Sequence, residues 1–109
     1  MKKLWVSQQI ANTIEVDNKK YESDRVASLG YNEPSLVFEI GTNIAIIKNI
    51  NFLYKNIEKY DYLVIEKMYY NKVIDILVRN DIKYQLLKNF EGFNSAKNKN
   101  VLIFIFKLI

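Results

Sequence analysis

The run "VLIFIFKL", Val101 to Leu108, is apolar at every position except Lys107. A strand with one wet face alternates apolar and polar residues, and this run does not alternate. It reads as a strand covered on both faces, which demands layers of structure on each side of a sheet. The chain has 109 residues, half of them hydrophobic, which suits one domain with one core and argues against disorder.

Upstream, two kinds of pattern alternate. "DYLVIEK" (61–67) reads as a second buried strand. Residues 71–80 read as a helix burying Val73, Ile74, Leu77 and Val78, with Asp75 and Arg79 paired four apart outside. "IKYQLLKNF" (82–90) reads as a third strand, and "EGFNSAKNKN" (91–100) as a polar loop. "SLGYNEPS" (28–35) holds Gly30 and the single proline and reads as a loop, with Glu33 pushed to an extended conformation by Pro34. Leu36 to Ile40 reads as a short buried strand. After Gly41, the apolar residues Ile46, Ile50, Leu53 and Ile57 are spaced four, three and four apart. This predicts an amphipathic helix over roughly 43–59 with Thr42 or Asn43 as its N-cap.

The first segment has two readings. Leu4, Val6, Ile10, Ile14 and Val16 share one parity, as in a strand, and Val6, Ile10 and Ile14 are also four apart, as on a helix. Asp17-Asn18-Lys19-Lys20 has turn chemistry, so the expected structure is a hairpin with strands near 10–16 and 20–26. The rival is the first helix of a helix-turn-helix, with Asp24 ill-suited to the helix that should follow. The expected fold is therefore α/β: a single small domain with a mixed, mostly parallel sheet, two helices and an N-terminal β-hairpin, with α+β as the alternative.

Composition excludes several chemistries. The chain has no cysteine and no histidine, so it has no disulfides, thiolate nucleophile, imidazole base or imidazole metal ligand. Any metal would be a hard, oxygen-ligated ion such as magnesium, and only Glu39 and Glu66 stand where they could share one. The apolar run near Met1 is too short for a signal-peptide core, and the C-terminal run is far below the roughly 20 residues that span a bilayer. The expectation is a cytoplasmic protein with no membrane partner.

In a parallel sheet, ligands bind outside the carboxyl ends of the strands. Glu39 and Glu66 are expected there, beside helix N–H groups following Gly41, Thr42 and Asn43. "VFEIGTN", a helix and then "YLVIEK" resembles the opening half of the S-adenosylmethionine-dependent methyltransferase core, over about residues 35–90. The resemblance implies that Gly41 is the first loop glycine and Glu66 the carboxylate on the cofactor's ribose. The chain departs from that pattern at Asn43 and Ile44, where a second loop glycine is missing. The reading adopted uses no cofactor, and a reduced Rossmann-like enzyme core stays as an alternative.

A second alternative is binding of RNA or single-stranded DNA. Lys67, Lys72, Lys97 and Lys99 are interleaved with Tyr69, Tyr70 and Phe93, and aromatic faces stack on unpaired bases while lysines meet phosphates. Charge supports this mildly: from Gly41 onward there are eleven basic against six acidic residues. The leading expectation is a small non-enzymatic interaction protein with a protein partner. An inhibitor from a phage or mobile element, acting on a host protein or nucleoprotein complex, would have this profile. Such proteins bind through Tyr, Trp and Arg hot spots, and the chain has eight tyrosines and one tryptophan.

Overall fold

The computed structural model describes residues 2–31, 34–94 and 99–109. Helix α1 (Lys2–Asp17) opens the chain, and a single 3₁₀ turn (Ser23–Arg25) leads into β1 (Val26–Leu29). Helix α2 (Pro34–Ile40), β2 (Ala45–Ile47) and α3 (Ile50–Asn56) follow. After a 3₁₀ turn (Ile57–Lys59) come β3 (Tyr62–Glu66), another 3₁₀ turn (Lys67–Tyr69), α4 (Tyr70–Arg79), β4 (Tyr84–Asn94) and β5 (Lys99–Leu108). The five strands form one sheet in the order β2-β1-β3-β5-β4. β1 pairs in parallel with β2 and β3, and β5 pairs antiparallel with β3 and β4.

The connectivity explains the layers. The first crossover runs outward from β1 through α2 to β2. The second returns past β1 through α3 to β3. Crossovers of one hand that travel in opposite directions place their helices on opposite faces. Accordingly α1 and α2 bury Val6, Ile10, Ile14, Leu36 and Ile40 with Val64, Ile103 and Ile105 on one face. On the other face α3 and α4 bury Leu53, Val73 and Leu77 against Leu29, Leu63, Ile65 and Phe106. Both faces of β3 and β5 contribute to these cores, as the unbroken apolar runs require.

The α/β class and the mixed sheet stand as expected, as do β3, α4 and β5, but the buried stripe of α4 is Val73, Ile76 and Leu77, with Ile74 half-buried and Val78 64% exposed, because the helix turns Ile76 rather than Val78 toward the sheet. The N-terminal hairpin does not: residues 2–17 are helix, because the four-residue spacing of Val6, Ile10 and Ile14 lets one stripe cover the sheet. Among the described residues four α-helices stand in place of the expected two. Leu36 to Ile40 is helix, not strand. The predicted helix over 43–59 is split, with β2 at its start and α3 capped by Asn49, whose side chain accepts from the Asn51 N–H at 2.8 Å. Two pairings are parallel and two antiparallel, because among the described strands only β5 runs against the direction of β1, β2, β3 and β4. The expected loop over 91–100 is strand at both ends, since β4 runs to Asn94 and β5 begins at Lys99, and residues 95–98 lie outside the described residues. Glu33, with its expected extended conformation, lies outside the described residues. No described helix is long and apolar enough to cross a membrane.

Candidate functional site

β1 and β3 lie side by side, with crossovers leaving them in opposite directions, so the crevice at their carboxyl ends is the topological switch point. Gly30, Glu66, Tyr69 and Ser28 meet there. Gly30 follows β1 with φ +92°, and a Cβ on it would fall 2.9 Å from both the Glu66 Cβ and the Tyr69 ring. The glycine is needed because the chain turns in the left-handed region while a ring packs on it. Glu66 ends β3 and is only 3% exposed. Ser28, fully buried on β1, donates its hydroxyl to the carbonyl of Tyr31 and closes the turn. The close approach that a ligand backbone or phosphate would use is thus taken by the Tyr69 ring.

The crevice extends along the next residues. Lys67 and Lys72 are exposed on the 3₁₀ turn and α4, while Tyr69 and Tyr70 are half-buried. The Tyr70 ring lies 4.6 Å from that of Phe104 in β5, and Phe104 stacks on Phe106 at 6.3 Å. Glu66 pairs with Ile103, and β5 starts earlier, at Lys99, so the hairpin overhangs this end of the sheet. Exposed Lys99 and the Phe93 backbone sit on that overhang. Lys97 lies outside the described residues.

Glu39, Gly41, Thr42 and Asn43 are elsewhere. A crossover helix returns from the carboxyl end of one parallel strand to the amino end of the next, so the end of α2 lies opposite Glu66. There Tyr21 donates its hydroxyl to the Ile40 carbonyl at 3.1 Å. Burial, then the charges of Glu15 and Glu39, push the Tyr21 phenol up from its ordinary value. Gly41 ends α2 with φ +140° and its N–H on the Val37 carbonyl at 2.9 Å. A Cβ there would meet the Ser23 Cβ at 2.6 Å. Gly41 is a helix terminator packed on Ser23, not the first glycine of a strand-to-helix cradle. Thr42 and Asn43 are exposed and cap no helix. The resemblance to the methyltransferase core therefore loses its footing, since its first strand is a helix here and its two carboxylates stand at opposite ends of the sheet. Among the described residues no three acidic side chains gather as a metal site.

From the C-terminal hairpin the pattern singles out only Phe93, Lys97 and Lys99, near its tip; the structure adds the edge of β4. β4 is the last strand of the sheet, and among the described residues none lies beyond it. Its register slips between Leu86 and Lys88, leaving Leu87 as an extra residue. Tyr84 and Leu86 are 37% and 41% exposed on the face that carries Phe106, and Tyr84 meets Phe106 edge-on at 5.7 Å. On the other face α1 flanks β4, with the Lys88 Nζ donating to the Gln9 Oε1 at 2.8 Å. The strand itself was legible over 82–90, but edge position depends on which strand pairs with which, and no local pattern encodes that. Compared with known protein families, curated proteins and solved structures, the chain matches none.

Proposed function

We propose that the protein is a binding module without chemistry of its own, and that it engages a protein partner through the C-terminal hairpin β4–β5. The observation that carries this is the position of β4, an eleven-residue strand at the open edge of the sheet with Tyr84 and Leu86 on its wet face. An edge strand offers a row of backbone donors and acceptors, and apolar side chains beside it supply buried area on contact. At the switch-point crevice, where a small ligand would be expected, the Tyr69 ring packs on Gly30. An inhibitor or adaptor, including one carried by a phage against a host complex, would act through such a surface.

Capture of binding partners with the immobilised protein tests the reading. Leu86→Lys is expected to abolish capture of the partner that wild type retains. Phe38→Ser, on the outer face of α2, is expected to leave it intact. Equal capture by the two variants would overturn the assignment to the hairpin.

Binding of RNA or single-stranded DNA is the second reading. It is favoured by exposed Lys67, Lys72 and Lys99 at one end of the sheet beside Tyr69 and Tyr70. Oligonucleotide binding that weakens steeply with salt would support it, and absence of binding at low ionic strength would remove it.

A further inference from the structure

A groove of about 510 Å³ runs along the flank of α1, lined by Gln9, Asn12, Thr13 and Val16 from the helix and by Leu87 and Lys88 from β4. The bulge explains why β4 offers two neighbouring side chains to it. Leu86 is opposite Phe106 and Lys88 opposite Ile105, so the extra residue Leu87 and then Lys88 both turn toward α1. We infer that the β4 edge accepts an extended segment of a partner protein as a sixth strand, with an acidic side chain on Lys88 and an apolar one against Val16 and Leu87.

Main-chain pairing with the edge would supply affinity, and alternate side chains of the added strand would project along the flank of α1. The chemistry of those side chains follows from the groove. Lys88 is exposed, and among the described residues its contacts are the neutral Gln9 amide and the Phe90 ring, 6.0 Å away, rather than a carboxylate. Asp17, also in the lining, is already engaged by the Tyr62 hydroxyl and by the Lys107 Nζ at 3.0 Å. The charge offered to an incoming strand is therefore positive. Val16 is 86% exposed beside half-buried Leu87, which leaves an apolar shelf next to that charge. A bulge and a lysine at a sheet edge also discourage indiscriminate pairing. Here they act as a filter, admitting a segment with a carboxylate opposite Lys88 and refusing one with a lysine there.

The inference rests on the reading of the hairpin as the partner-binding surface, and its test separates the two. The probe is a capped, labelled peptide of threonines carrying a valine and a glutamate two positions apart. The control carries lysine in place of the glutamate. The expected result is saturable binding, about tenfold tighter for the glutamate peptide, with slowed amide hydrogen exchange in β4. Lys88→Glu is expected to reverse the preference. Unchanged β4 exchange at millimolar peptide, or equal affinity for both peptides, would overturn strand addition. The hairpin reading would survive that result if Leu86→Lys still abolished partner capture, and would fall if it did not. A dimer paired through β4 would give the edge to a second copy and also overturn the proposal.

Discussion

The phenol of Tyr62, at the start of β3, donates a hydrogen bond to the carboxylate of Asp17, at the last residue of α1. The Lys107 Nζ approaches the same carboxylate at 3.0 Å from β5. Three elements distant in sequence are joined at one acidic group, and this join fixes the end of the helix that flanks β4. Tyr62 is only 2% exposed, and its hydroxyl meets the Asp17 carboxylate at a part-buried site. Tyr62→Phe is expected to lose about 1.5 kcal/mol, as hydrogen bonds to charged groups do. Urea denaturation of the two proteins at neutral pH measures it.

The same join gives a pH dependence. The Tyr62 hydrogen bond, aided by Lys107 and opposed by burial, holds the Asp17 carboxyl below its ordinary value of 3.8. A lowered carboxyl contributes stability above its unfolded value and loses it as pH falls through the folded one. Stability is therefore expected to drop below about pH 4, with a shallower acid limb in Asp17→Asn. At the alkaline end the sign is opposite. Burial first, then the hydrogen bond and charge of Asp17, raise the Tyr62 phenol above its ordinary value of 10.0. Its contribution is complete below that value and is lost as pH rises beyond it. Thermal melts across pH in wild type, Asp17→Asn and Tyr62→Phe check both limbs.

Gly30→Ala is expected to destabilise by about 3 kcal/mol, combining a left-handed backbone with a forced clash. The new Cβ would stand 2.9 Å from both Glu66 and Tyr69, whose ring and backbone are held by the sheet and the turn. Chemical denaturation measures the loss. A neutral result would show that the crevice is looser than its packing suggests.

Leu63→Ala in β3 is expected to cost about 3 kcal/mol, since a fully buried side chain in the central strand leaves a cavity that rigid neighbours cannot close. Phe38→Ser is the contrast. Phe38 is 83% exposed on α2, and its loss is expected to change stability by less than about 0.5 kcal/mol. Equal effects at the two sites would contradict the placement of Leu63 in the core and of Phe38 on the outer face of α2.

How far the pattern carried depended on how many neighbours each segment needed. Tyr62 to Glu66 and Val101 to Leu108 were legible because residues covered on both faces leave no alternation to misread. The helix over 71–79 was legible because the apolar residues and the Asp75–Arg79 pair both have helical spacing, although Ile76 and not Val78 completes its buried stripe. "LVFEI" was not, because a short apolar run satisfies a strand and a buried helix turn equally. Its decision came from Leu36 and Ile40, four apart, which bury against α1, while Phe38 between them faces out. Ala45 to Ile47 was absorbed into a helical pattern because three residues are too few to show a period. They are a strand only because β1 lies beside them. Among the candidate site residues, Glu66 to Lys72 fell together because they are consecutive around a strand end. Glu39 to Asn43 went to the far end because the segment before them is a crossover helix.

By itself the sequence determined a layered α/β domain without cysteine or histidine chemistry, because composition and long apolar runs are properties of single segments. The tertiary structure alone decided that residues 2–17 are helix, that Gly41 stops a helix, and that β4 is an edge strand. Those outcomes depend on what each segment packs against, and a side-chain pattern of period two or four is silent until its partner is in place.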